Sequence, residues 1–216
     1  LSMRERSLLP LTSAALGVLL IVTQSRGALV GVSFGLATMV ILSWNARRIG
    51  IVVVVGLVLL AAIVWVVGAD APLVVDSSTA IRNAPGRIEI WSHAVEVISD
   101  FRFTGIGIGN FATVTDLFYP FVAAGPGQTH AHNLFLQIAV DTGLPGLVAW
   151  LSCMFLVMLC CTQTFCLVFA RNSPILAGMS AGLFCGQLTM LVHGLMDAPL
   201  WATRPSIIIW ILWGIA

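Results

Sequence analysis

The chain has 216 residues, 59% of them hydrophobic and 9% charged, with a mean hydropathy of +1.02, whereas soluble domains carry roughly a quarter charged residues. This composition excludes an ordinary soluble globular domain. Ten basic and nine acidic side chains leave a net charge of +1, which offers no basic stripe to a nucleic-acid backbone and excludes nucleic acid as a partner.

Apolar runs long enough to cross a bilayer core of about 30 Å predict spans at Leu8–Val22, Ala28–Ser43, Ile49–Gly68, Leu144–Ala170 and Pro174–Val192, and a cut-off one from Ser206 onward. The expected fold is all-α: a polytopic transmembrane bundle with a large periplasmic loop that contains an amphipathic helix. Residues 1–68 read as three spans, 69–131 as the loop, and 132–216 as a re-entrant or short helix followed by three spans, the last truncated. The chain opens on Leu1 and stops at Ala216 inside an apolar run, and reads as a fragment of a longer membrane protein.

Arginine placement sets the orientation, because cytoplasmic loops retain positive charge. Arg4, Arg6, Arg47, Arg48 and Arg171 fall on alternate connections and, with Glu5, give that side +4. The other side holds five arginines against eight acids, a balance of −3. This asymmetry places the Thr23–Gly27 turn, the long loop and the His193–Pro205 connection outside. Within the loop, Arg87–Phe101 puts Ile90, Trp91, Ala94, Val95 and Ile98 at helical spacing, a helix that lies on the membrane surface or caps the bundle.

Glycines recur every four residues at Gly27, Gly31 and Gly35 and again at Gly178, Gly182 and Gly186. Both rows read as faces of close helix packing. Gly105, Gly107 and Gly109 lack the spacing of a dinucleotide fingerprint and read as a turn. The five cysteines (Cys153, Cys160, Cys161, Cys166, Cys185) sit in apolar runs without disulfide or zinc spacing and read as packing residues.

The residues that can carry chemistry cluster on the outer side. All ten basic residues are arginine, so any group that holds an anion here is a guanidinium. Arg26, at the junction of the first two spans, either anchors the interface or binds an anion, and the positive-inside preference gives it no reason to face outward. Arg87 opens the loop helix, where the macrodipole disfavours a cation, and this points to an external anion. His130 and His132 form an HxH pair. It could ligate metal, but no third or fourth ligand stands at useful sequence spacing, so a metal is not expected. Either histidine can be a plain interface residue, or its imidazole can take or position a proton near neutral pH. His193, Asp197 and Arg204 lie near the outer end of the fifth span, where ionisable groups are functional candidates by default.

His132-Asn133, nine residues, Gly143, two residues and Gly146 match the H-N-x9-G-x-x-G signature of the O-antigen ligase and polymerase superfamily. The chain also resembles that superfamily in Ser25–Ala28 (SRGA), in Arg87-x-x-x-Trp91 and in Gly105–Phe111, all in the same order, over roughly Thr23–Pro199. The resemblance implies a multi-span inner-membrane glycosyltransferase that moves a glycan from undecaprenyl diphosphate to an acceptor hydroxyl at the periplasmic face, with no required metal or other cofactor. It implies His132 as the catalytic histidine and Arg26 and Arg87 as the arginines that hold the diphosphate. His130, His193, Asp197 and Arg204 stand as secondary substrate contacts. Guanidinium forks suit a diphosphate leaving group on chemical grounds as well.

The expected reaction is a single inverting displacement onto a lipid A core hydroxyl. The alternatives are an O-antigen or exopolysaccharide polymerase, or a protein O-oligosaccharyltransferase, which share the donor and differ in acceptor. A solute carrier would also suit glycine-rich helices with intramembrane charge, although the charged candidates converge on the outer face rather than the midplane. A scaffold gives no reason for the histidine signature beside two outward arginines.

Overall fold

The computed structural model describes residues 3–23, 25–42, 84–170 and 173–198, together with 201, 211 and 214. The described residues form helices and connecting turns without a strand: α1 Met3–Val22, α2 Arg26–Leu42, α3 Ala84–Asp100, α4 Phe111–Phe118, α5 Leu134–Ala170 and α6 Pro174–Gly194. The span expected at Ile49–Gly68 lies outside the described residues, as does the one from Ser206 onward apart from Ile211 and Gly214.

Leu134–Phe169 and Ile175–Gly194 are long and apolar enough to cross a membrane. Large apolar side chains along α5, including Val148, Phe155, Leu156 and Leu167, point away from the rest of the chain, a surface that suits lipid and not water. At 1.5 Å per residue a straight α5 would run about 55 Å, well beyond one hydrocarbon core. It is broken at Gly143, whose φ of 73° and ψ of 177° are not helical.

The break follows from local chemistry. Pro145 has no N–H, so it cannot bond the carbonyl of Asp141 four residues back. Gly143 adopts a positive φ that a side chain disfavours. The carbonyls freed by this interruption are met from the preceding loop: Ile106 N–H donates to Val140 at 2.9 Å and Gly107 N–H to Asp141 at 3.0 Å, while Leu144 N–H turns to the Arg102 carbonyl at 2.8 Å. Gly105, Gly107 and Gly109, all with positive φ, make the turn that was expected of them and bring this backbone within reach. A Cβ on Gly143 would sit 2.8 Å from the Phe103 carbonyl carbon. On Gly146 it would strike the Thr142 side chain.

The loop segment carries its own small core. Ile90, Ala94 and Val97 of α3 are fully buried against Phe111, Phe121, Ala124, Ala131 and Val140. The buried face of α3 is thus shifted from the expected one: Val95 is 56% exposed and Val97 takes its place, because α3 caps α5 and the loop. Glu89 fixes the far side of this core by accepting the N–H groups of Val122, Ala123 and Ala124, each at 2.8 Å.

The first glycine row behaves as its spacing predicts. Ser25 caps α2 through Oγ, which accepts the Ala28 N–H at 3.3 Å. A Cβ on Gly27 would lie 2.8 Å from the His193 ring, and one on Gly31 would lie 2.6 Å from the Thr189 carbonyl of α6. Gly35 likewise meets Thr189. The second row does not pack as expected: among the described residues, nothing lies within 4 Å of a Cβ built on Gly178, Gly182 or Gly186. α6 instead buries Ala177, Ser180, Ala181, Cys185 and Gln187, the neighbouring face. The cysteines are all unbridged, with Cys161 and Cys185 buried.

Gly143→Ala combines left-handed backbone strain with a backbone clash and should destabilise the protein by about 2 kcal/mol or more. Gly178→Ala should be neutral or stabilising by up to about 1 kcal/mol. Thermal unfolding of the two variants in detergent checks this contrast, and equal melting temperatures would contradict it.

Candidate functional site

The site begins at the end of the loop. Asn133 is the N-cap of α5: its Oδ1 accepts the N–H groups of Phe135 and Leu136 at 3.0 and 3.1 Å, and its Nδ2 donates to the Leu195 carbonyl at 3.2 Å. An Asn just before an apolar helix is a cap by its nature. His132 precedes it with a φ of 48°, the one positive value on a non-glycine among the described residues. Such a conformation persists only where its surroundings hold it, and it recurs at functional sites.

The backbone between the two histidines is gripped from both sides. Ala131 N–H donates to Gln137 Oε1 at 2.6 Å, and the Ala131 carbonyl accepts the Trp91 indole N–H at 3.0 Å. Gln137 Nε2 in turn donates to Asp141 Oδ1 at 3.0 Å, while Asp141 Oδ2 accepts the Trp201 indole N–H at 2.8 Å. Gln137 and Asp141 are both almost fully buried. A carboxyl group in such a place needs hydrogen-bond partners, and Gln137 and Trp201 supply one to each oxygen.

Asp197 completes the cluster from the end of α6. The His193 carbonyl accepts the N–H groups of Met196 and Asp197, a turn that aims the carboxylate back at the loop. Its Oδ1 lies 3.2 Å from His130 Nε2 and 3.3 Å from His132 Nδ1, and it accepts the Ala198 N–H at 2.9 Å. The two imidazoles have ring centroids 4.1 Å apart. Burial alone would raise the Asp197 pKa, but the hydrogen bonds from His130, His132 and the Ala198 amide overcome it and hold the carboxyl well below the usual carboxylate range. An ionised Asp197 makes each facing ring nitrogen a donor. His132 then carries its proton on Nδ1 and presents Nε2 as an acceptor. The His132 side chain is the most enclosed of the three, at 14% exposure.

Arg87 reaches the same place from α3, with Nη1 donating to the Met196 carbonyl at 3.3 Å. Arg87 and Trp91 are four residues apart on one helix face. Together they hold the chain on both sides of the histidine–carboxylate cluster, one at Met196 and the other at Ala131.

Of the residues singled out in the sequence, the fold therefore gathers Arg87, His130, His132 and Asp197. His193 contributes its backbone to the Asp197 turn and its ring to the packing against Gly27. Its Nε2 is buried with no hydrogen-bond partner among the described residues. Arg26 opens α2 beside that contact, but its side chain and the whole of Arg204 lie outside what is described. The sequence offers no third ligand at useful spacing beside the HxH pair, and the fold brings one there: Asp197 lies 65 residues from His132 in sequence and at 3.3 Å in space. Sequence reasoning also passed over Gln137, Asp141 and Trp201. An acidic residue in an apolar run, four positions after a glutamine, was the available signal.

Two helices of membrane length, Leu134–Phe169 and Ile175–Gly194, meet at a cluster of two histidines and a carboxylate, with the Arg87 guanidinium on the neighbouring Met196 carbonyl. The family model described as O-antigen ligase matches residues 11–151, well over half of the chain, and the chain belongs to that family. It is a membrane-associated glycosyltransferase of the O-antigen ligase and polymerase type, with glycan substrates and a lipid-linked donor. No curated protein among those compared matches the chain.

The Glu89 cradle gives a pH signature. Partial burial works against its charge, yet three backbone donors hold the carboxyl below its ordinary value. A lowered folded pKa contributes stability that is present above the unfolded value of about 4.3 and is lost as pH falls through the folded one. Hydrogen exchange corrected for intrinsic rates should therefore show Val122, Ala123 and Ala124 protected near neutral pH and deprotected on acidification. Glu89→Gln should remove much of that protection at neutral pH.

Proposed function

We propose that the protein is an O-antigen ligase: it transfers a glycan from undecaprenyl diphosphate to a hydroxyl of the lipid A core at the periplasmic face of the bacterial inner membrane. The topology behind this reading is multi-pass, with the 69–131 loop outside, as the arginine distribution favours. The observation that carries the proposal is the pairing of His132 Nδ1 with Asp197, 3.3 Å apart. It leaves His132 Nε2 as a proton acceptor.

In this mechanism the acceptor hydroxyl approaches His132 Nε2. Its oxygen attacks the anomeric carbon while its proton passes to Nε2, and the bond from that carbon to the diphosphate oxygen breaks. The electron pair leaves on the diphosphate. Asp197 holds the required tautomer and stabilises the imidazolium that forms. Arg87 and Arg26 supply charge to the leaving diphosphate, where two guanidinium forks suit its oxygens. A single displacement inverts the anomeric configuration. No step requires a metal.

His132→Ala and Arg87→Ala should abolish transfer without loss of expression, and Arg87→Lys should not restore it, because a point charge does not replace a fork. Asp197→Asn, which can no longer favour the Nδ1–H tautomer, should lower kcat by about 10²-fold or more and change the KM for the donor little. The assay is glycan transfer in cells lacking their own copy of the gene, with lipopolysaccharide and glycoprotein ladders read together. Loss of the ladder from lipid A supports the ligase. A collapse to one repeat would replace it with a polymerase, and loss from protein with an oligosaccharyltransferase. Normal transfer by His132→Ala would remove the site assignment.

A further inference from the structure

We propose that His130, His132 and Asp197 form a binding site for a divalent transition-metal ion, Zn2+ being the best fit, and that occupancy of this site switches transfer off. Nothing in the proposed reaction calls for this ion.

The first support is geometric. One ligand atom from each of His130, His132 and Asp197 lies within 4.8 Å of the others, and His130 Nε2 and His132 Nδ1 stand 3.2 and 3.3 Å from the shared Asp197 Oδ1. Charge-assisted N–H···O bonds close to about 2.7–2.9 Å. A tetrahedral Zn2+ with bonds of about 2.0–2.1 Å spaces its ligand atoms about 3.3–3.4 Å apart. The two nitrogen–oxygen separations therefore have the length of edges of a coordination tetrahedron, and binding requires a nitrogen–nitrogen edge of the same length. Two imidazoles and one carboxylate are also a ligand set that zinc accepts, with the fourth position left open.

The second support lies behind the ligands. His130 Nδ1 is 2.9 Å from Thr129 Oγ1. Without metal, His130 donates Nε2–H to Asp197 and the Thr129 hydroxyl donates to Nδ1. With metal on Nε2 the proton moves to Nδ1 and the hydroxyl becomes the acceptor, which it can do without moving. The carboxylate is held in its turn by the Ala198 N–H at 2.9 Å, a bond that coordination leaves in place.

The consequence for activity rests on the reading of His132 as the base. A neutral imidazole has one proton and one lone pair. With metal on Nδ1 the proton must sit on Nε2, and that nitrogen can no longer accept one from the acceptor hydroxyl. Protons balance within each ring, so none is released overall. The metal-bound site loses its base.

Co2+ added alone to the protein in detergent tests the site by spectroscopy, independently of any glycan. One equivalent should give the intense visible bands of a tetrahedral ion, and Zn2+ should displace them. His130→Gln keeps a hydrogen-bond donor toward Asp197 but removes a ligand, and should weaken Co2+ binding by about 100-fold or more; Asp197→Asn, if it folds, should do the same. Weak octahedral bands only, or binding unchanged in His130→Gln, would overturn the site. In the transfer assay Zn2+ should inhibit the wild type, a chelator should reverse this, and His130→Gln should need at least about tenfold more Zn2+ relative to its own metal-free rate. Tetrahedral Co2+ binding with transfer unaffected by Zn2+ would uphold the site, overturn the switch, and remove His132 Nε2 as the base.

Discussion

The break in α5 is the constraint from which the rest of the described structure follows. A proline at 145 and a left-handed glycine at 143 leave the carbonyls of Val140 and Asp141 without helical partners, in a region too buried for water to satisfy them. Buried backbone groups must be bonded, and the loop backbone at 106 and 107 bonds them. That docking seats α3 over the start of α5. The two signature glycines, Gly143 and Gly146, are thereby explained as places where a Cβ would collide with the loop backbone or with Thr142, rather than as substrate contacts.

Once α3 is seated, its Arg87–Trp91 face reaches two backbone carbonyls that come from distant parts of the chain, Met196 and Ala131. The cluster between them is held entirely by backbone geometry and buried polar bonds: the Asn133 cap, the positive φ of His132, the Gln137–Asp141–Trp201 chain and the turn after His193. In the proposed reaction, such an arrangement fixes the imidazole tautomer before the substrate arrives. Preorganised donors and acceptors of this kind are what stabilises charge as it develops in a transition state.

One carboxylate oxygen facing two imidazole nitrogens serves both the proposed acid–base chemistry and the proposed metal switch. The two uses exclude each other, because the ring nitrogen that donates to Asp197 in one state is the metal ligand in the other. This conflict is a direct result of placing two histidines, rather than one, on the same acceptor.

Much of this was legible in the sequence for local reasons. Hydropathy set the apolar helices because lipid-facing segments must be continuous, and the close approach at Gly27 and Gly31 follows from having no side chain. The family signature pointed at His132 and Arg87. Phase was harder to read: the face of α3 shifted from Val95 to Val97, and Gly178, Gly182 and Gly186 make no close packing contact among the described residues, since small residues permit contact on a face without requiring it. The convergence of Asp197 with His130 and His132, the grip of Arg87 and Trp91 on backbone carbonyls, and the burial of Asp141 between Gln137 and Trp201 belong to the tertiary structure alone. They join residues about 40 to 110 positions apart, except for the local Gln137–Asp141 pair, and spacing along a chain carries no record of which distant carbonyl a guanidinium or an indole will find.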